Sequence, residues 1–286
     1  MTPWSNTFDY HLLKSKKEKT LVYSSLLREV FMILKEIYPA PELYKLLIEE
    51  EKKKKLRIAI KSGLPMLDGY IKEFLPGELT VISGKTAHGK TLLAITFTRN
   101  MCENNNILLW FSYELGALEF LEKTMDEQGN IPGFFLPYQL IPNDLKYIEF
   151  KIKECKKEYG LDACFIDHLH YLCDMKDLRM SIEIGRVMRF LKQIAVKHQI
   201  AIFIISHVTK LADIKLKDID NDALRDSGMT ACEADNVFFI IRKDKSDTEA
   251  ILKITKNRRH GFRNKYISLV KKGNYLYEKE GKNERE

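Results

Sequence analysis

Gly84-Lys85-Thr86-Ala87-His88-Gly89-Lys90-Thr91 has the spacing G-x-x-x-x-G-K-S/T, which can cradle a chain of phosphates. The glycines let the backbone curl so that its N–H groups face inward. A helix opening near Lys90 aims its positive end at the same place. Lys90 would bring a point charge to the outer phosphates, and the Thr91 hydroxyl would ligate Mg2+. Gly84 to Thr91, with Leu92 following, are the expected contacts for ATP or another nucleoside triphosphate. Such a loop needs an acidic partner at the end of another strand to hold Mg2+ through water. Asp167, ending the apolar run "DACFID", is that partner. Hydrolysis also needs a group to orient the attacking water. Glu114, ending "ILLWFSYE", can accept a hydrogen bond from it. By position alone Glu114 reads equally well as a surface carboxylate opening the next helix. "DHLHYL" sets His168 and His170 two apart, a spacing that could hold a metal at a strand end, with no further ligand in view.

These residues need rigid elements beneath them. The segments "ELTVIS" (78–83), "ILLWFSY" (107–113), "DACFID" (162–167) and "IAIFIIS" (200–206) are short continuous apolar runs, as strands buried on both faces are. Helical spacing separates them at 90–101, 117–128, 145–159 and 182–198. Strands alternating with helices predict an α/β fold with a mostly parallel sheet covered on both faces. After residue 235 the pattern changes to "NVFFIIRKD", "EAILKITKN", "NKYISLVKK" and "NYLYEKE", strands joined by turns, which predict a meander or antiparallel edge.

Residues 20–56 read as two helices: Leu27, Val30, Phe31 and Leu34 share one face, Pro41 interrupts, and Leu43, Leu46 and Leu47 share another. The charge run "EEEKKKKLR" (49–57) reads as a solvated helix end rather than a nucleic-acid patch. The expected organisation is a small helical N-terminal extension over 1–57, a main domain over 58–280 and a disordered tail over 281–286.

The chain has 286 residues, 45% of them hydrophobic and 30% charged, in the range of globular proteins. No apolar run approaches the ~20 residues of a membrane helix. The first residues carry no apolar signal core, so a cytoplasmic location is expected. Cys102, Cys155, Cys164, Cys173 and Cys232 are scattered without a C-x-x-C spacing and read as reduced thiols. The formal charge of +7 permits a nucleic-acid partner without requiring one.

In order along the chain, these segments resemble the RecA-like core of the hexameric replicative helicases: bacterial DnaB, the phage helicase-primases and mitochondrial Twinkle. The likeness covers about residues 58–272. "SGLPMLDGYIKEFLPGELTVISG" looks like the family's lead-in, with a Gly before a Leu-Asp pair and a Pro-Gly before the first strand. "FSYEL" looks like its catalytic Phe-Ser-x-Glu segment, "FIDHLHYL" like its Mg2+-binding Asp strand, and "LRDSGMTACEADNVFFIIR" like its Leu-Arg-acid-Ser-Gly followed by Ala-Asp and a strand. "ITKNRRHG" resembles the Lys-x-Arg that reaches a neighbouring subunit's nucleotide. His207, where DnaB-type proteins usually carry Gln, and the longer Lys-x-Arg-x-x-Gly spacing resemble the phage and Twinkle-like members. The N-terminal part has no room for the full helical collar of DnaB, and no zinc ribbon or primase-like domain is evident.

The resemblance implies a RecA-like phosphate-loop core and an ATP-driven helicase acting in DNA replication. It would work as a homo-oligomer, a hexameric ring translocating on single-stranded DNA, with primase and loader as further partners and ATP and Mg2+ as its chemistry. Glu114 becomes the catalytic carboxylate and His207 a sensor of the γ-phosphate. Lys256 and Arg258, with Arg259 adjacent, would act in trans; a finger of this type is worth ~10³–10⁵ in rate. Lys210, with Lys215 and Lys217, would line the channel, and Arg225, Asp226 and Gly228 would lie at the DNA backbone. Two other readings stand beside this one: an oligomeric ATPase of the recombinase or clock-protein type that does not unwind, and a nucleotide-binding loading or regulatory module.

Overall fold

The structure is a computed structural model, and it describes residues 38–53, 59–142, 144–173, 180–207, 232–242 and 248–279. The chain divides into two units, Met1–Arg57 and Ile58–Glu286. In the first, helix α1 (Ala40–Lys53) carries Pro41 in its opening turn, where a missing N–H costs nothing. Pro41 therefore begins this helix. The helix expected around Leu27 to Leu34 and the tail 281–286 lie outside the described residues.

The second unit is built on one eight-stranded sheet in the order β2-β3-β4-β1-β5-β6-β7-β8. The strands are β1 (Leu79–Gly84), β2 (Leu108–Ser112), β3 (Ala163–Asp167), β4 (Ala201–His207), β5 (Asn236–Arg242), β6 (Glu249–Asn257), β7 (Lys265–Lys272) and β8 (Tyr275–Glu278). β2, β3, β4, β1 and β5 are mutually parallel, and β6 to β8 continue the same sheet antiparallel. The α/β architecture with antiparallel C-terminal strands is therefore as expected.

Helices cover both faces, which is why β1 to β4 are almost wholly buried. One face packs against α5 (Leu145–Tyr159) and α6 (Met180–His198) through Ile148, Ile152, Val187 and Leu191. The other packs against α2 (Pro65–Ile71), α3 (Lys90–Glu103) and α4 (Ala117–Thr124) through Leu67, Leu93, Phe97 and Phe120. On that second face Trp110, Phe165 and Phe203 are register partners on β2, β3 and β4. Their rings stack in series, with centroids 4.9 Å and 4.5 Å apart. The ladder pins the register of three strands whose upper ends carry site residues.

Two local features depart from the periodicity. Helix α4 stops at Thr124, short of the expected 128. There Asp126 takes up the N–H groups of Gln128 and Asn130 and closes a turn instead. The short α2 falls in a segment where no element was expected, opened by Pro65. Asp68 of α2 gathers Ser62 Oγ at 2.7 Å and the N–H groups of Ser62 and Gly63 at 2.9 and 3.0 Å. Gly63 has φ +72°, and a Cβ there would lie 2.4 Å from Asn100, so the Gly before Leu-Asp is demanded by contact with α3. No helix among the described residues is long and apolar enough to cross a membrane.

Candidate active site

β1 and α3 meet at the phosphate loop. Gly84 sits at φ +154°, and a Cβ there would come within 2.4 Å of the Ile240 carbonyl oxygen on β5. Gly89 lies at φ +94° as the residue before α3. Both glycines are thus needed by the backbone path itself. His88 Nδ1 accepts the Arg242 N–H at 3.1 Å, fastening the loop to β5. Lys90 is buried and donates to the Lys85 carbonyl at 2.8 Å, so its ammonium is held inside the loop. Burial pulls its pKa down to about 8, against the upward pull of Asp167 and Glu114. A phosphate anion would reverse that effect.

Asp167 ends β3 beside β4 and is the hub of the site. The Thr91 hydroxyl donates to its Oδ2 at 2.7 Å. Its Oδ1 is buried without a hydrogen-bond partner among the described residues. Burial raises its pKa to about 6, opposed by the Thr91 hydrogen bond. Its backbone carbonyl accepts the Tyr113 N–H at 2.6 Å and the Glu114 N–H at 3.3 Å. One residue therefore aims a carboxylate at the loop and fixes where Glu114 leaves β2. A hydroxyl beside a carboxylate with an unsatisfied oxygen is a fitting donor set for Mg2+, which takes oxygen ligands.

Glu114 is half-exposed, with its Oε2 3.5 Å from His207 Nε2 and 3.8 Å from His168 Nδ1. His168 and His207 stand edge to face, centroids 4.4 Å apart at 84°. Burial drives the His168 pKa down to about 3, helped by His207. His207 is lowered by burial and then by Lys90. Both imidazoles are held neutral. Asp167 pairs in register with Ile205, which sets His168 alongside the end of β4. His170 stands behind it, with ring centroids 5.3 Å apart, so the His168–His170 pair of the sequence gives way to a Glu114–His168–His207 cluster. His168 is the site residue that sequence reasoning underrates.

Lys256 and Arg258 lie elsewhere. Thr80, near the start of β1, pairs with Asn236, and Asn236 pairs with Asn257. They therefore sit at the lower end of the strands, with Gly84 and Asp167 at the upper end. From Thr80 to Gly84 that is roughly 13 Å along β1 at strand rise. Arg258 donates to Asp235 Oδ1 at 2.9 Å and to the Cys232 carbonyl at 3.0 Å. Asp235 also accepts Lys192 at 2.5 Å and the Leu79 N–H at 2.8 Å. Lys256 donates to the Cys232 carbonyl at 3.3 Å, and burial, then Arg258, lowers its pKa. Arg259 donates to the Ile71 and Glu73 carbonyls. Asp235, the Asp of the Ala-Asp that precedes β5, is the acceptor that gathers this end of the sheet, a role its local sequence does not signal. Lys210, Lys215, Lys217, Arg225, Asp226 and Gly228 lie outside the described residues.

The model of the DnaB-like helicase C terminal domain matches residues 59–137 and 139–275. A probable plasmid replicative DNA helicase of Chlamydia psittaci is 27% identical over 218 residues, covering 66% of this chain and 48% of that protein. The replicative DNA helicase DnaB of Rickettsia bellii is 23% identical over 231 residues, covering 65% and 45%. The chain thus spans about half the length of the curated relatives it matches. Among solved structures, a DnaB-like replicative helicase, described with its interactions with primase, superposes with a TM-score of 0.67 at 18% identity, covering 93% of this chain and 74% of that one. The RadB recombinase superposes at 0.54 and 18% identity, covering 77% of this chain and all of that one. These likenesses give the fold, a RecA-like one. With the family model matching most of its length, the chain belongs to the DnaB-like helicase C-terminal domain family.

Proposed function

We propose that this chain is the motor of an ATP-driven, ring-forming DNA helicase, translocating on single-stranded DNA in replication and hydrolysing ATP between subunits. In this reading residues 58–280 are the ATPase domain and 1–57 an extension of it. The observation that carries the reading is the separation of the two halves of the chemistry. Lys90, Thr91, Asp167 and Glu114 converge at the upper strand ends, while Lys256 and Arg258 stand at the lower ends of the same sheet. No rotation of the Arg258 side chain spans that distance, so any nucleotide it serves belongs to another subunit.

The loop amides and Lys90 bind and orient the phosphates. Thr91 and Asp167 would hold Mg2+, which would supply neutralising charge to the phosphates. Glu114 accepts a hydrogen bond from the attacking water and takes its proton at Oε2. His207, neutral and 3.5 Å from that oxygen, senses the γ-phosphate at Nε2. Arg258 of the adjoining subunit meets the charge that develops on the transferring group; for this it must turn away from Asp235, which keeps Lys192. Arg259, tied to two carbonyls of its own subunit, serves as a pin. Lys210, Arg225, Asp226 and Gly228 contact the DNA backbone without reading bases.

The experiment is ATPase activity with and without single-stranded DNA, alongside displacement of a strand from a forked duplex. DNA-stimulated hydrolysis with ATP-dependent displacement is expected. Hydrolysis without displacement would favour the recombinase-type ATPase, and nucleotide binding without hydrolysis would favour a regulatory module.

A further inference from the structure

We propose that Glu114, His168 and His207 form a second metal site, for a zinc-type divalent ion, distinct from the Thr91–Asp167 position. Three neighbouring parallel strands deliver the ligands: Glu114 follows β2, His168 follows β3 and His207 ends β4. Their ligand atoms all lie within 4.8 Å of one another. Glu114 Oε2 is 3.5 Å from His207 Nε2 and 3.8 Å from His168 Nδ1. A tetrahedral zinc with bonds of ~2.0–2.1 Å sets ligand atoms about 3.3–3.4 Å apart, so a contraction of a few tenths of an ångström brings Glu114 into range of each imidazole, and the two imidazole nitrogens, within 4.8 Å of one another, must draw together as well.

Two further observations point to a ligand. His168 Nδ1 is buried without a hydrogen-bond partner among the described residues, although it faces the carboxylate. The rings of His168 and His207 are held edge to face, and Tyr171 stands edge-on to His168 with centroids 4.9 Å apart. The His168 ring is thus oriented before any ion arrives. Two imidazoles and one carboxylate leave a fourth position for water, a donor set that suits zinc. Mg2+, which takes oxygen ligands, is directed to Thr91 and Asp167 instead. An ion here would occupy the oxygen with which Glu114 receives a proton and would slow hydrolysis. That consequence rests on the proposed role of Glu114; the binding itself does not.

The test is titration of the nucleotide-free full chain with Zn2+ by calorimetry, in excess Mg2+, with Co2+ as a spectroscopic probe. One tight zinc per chain is expected, with a tetrahedral cobalt spectrum lacking thiolate charge transfer. His168→Ala and Glu114→Gln should each weaken binding by at least about 100-fold, beyond the usual cost of an outer-shell change. His170→Ala and Cys232→Ser should leave it intact. Glu114 is half-exposed, so Glu114→Gln carries the test even if His168→Ala fails to fold. Unchanged zinc affinity in Glu114→Gln, a thiolate band, or loss in His170→Ala would overturn the site. Absence of zinc binding would overturn it too while leaving the ATPase reading standing, and absence of ATPase activity would leave the zinc titration unaffected.

Discussion

Asp167 and Asp235 are both buried carboxylates, at opposite ends of the same parallel strands, yet their surroundings differ in kind. Asp235 accepts from Lys192, Arg258 and the Leu79 N–H. Asp167 accepts one side-chain hydrogen bond, from Thr91, and keeps one oxygen buried and unpartnered among the described residues. A protein has no structural reason to leave a buried carboxylate half-satisfied. The lower end is a closed ionic clasp that joins β1, α6 and the turn after β6. The upper end is left open for something the chain itself does not provide. A buried acid marks a binding site where its partners are missing and a structural joint where they are present.

Four substitutions sharpen this contrast. The largest effect belongs to Arg258→Ala, which should lower ATP turnover by about 10³-fold or more while leaving nucleotide affinity unchanged. Steady-state kinetics beside equilibrium binding of a fluorescent ATP analogue checks it. Next, Asp235→Asn strips the clasp and should cost about 3 kcal/mol in denaturant unfolding.

Asp167→Asn should do the reverse. The Asp167 pKa of about 6 lies above the ordinary 3.8. Stability tied to it is therefore full below about 3.8 and lost as pH rises through about 6. In metal-free protein at pH 7.5 the Asn variant should be on the order of 2 kcal/mol more stable than the parent, with the gain fading toward pH 4. An Asp167→Asn variant as damaged as Asp235→Asn would erase the distinction between the two ends. Smallest, Arg259→Ala should cost about 1–2 kcal/mol of stability through its lost hydrogen bonds to Ile71 and Glu73. It should lower turnover far less than Arg258→Ala.

The upper end was largely legible in the sequence and the lower end was not. The phosphate loop is a contiguous string whose spacing carries its own physics. Asp167 is found because it ends an apolar run and such a loop needs an acidic partner, whereas Glu114 stands out from a surface carboxylate only through the likeness of "FSYEL" to the family's Phe-Ser-x-Glu segment. His168 is harder, because its nearness to His207 depends on the register of β3 against β4, which no local pattern records. The clasp is harder still. Lys192 and Asp235 are 43 residues apart and look like ordinary surface charges until the fold brings them together. The extra stretch expected for α4 failed for a similar reason: helical spacing continued past Thr124, but Asp126 offered the backbone a competing partner.

The division of the active site between subunits is tested most directly by mixing. Glu114→Gln and Arg258→Ala proteins are each assayed for DNA-stimulated ATPase, then combined in equal amounts and assayed again. With random assembly about one interface in four joins an intact Glu114 to an intact Arg258. Each variant alone should be nearly inactive, and the mixture should recover a substantial fraction of parental activity. A mixture no more active than the mean of its components, or full activity in Arg258→Ala alone, would contradict a shared site.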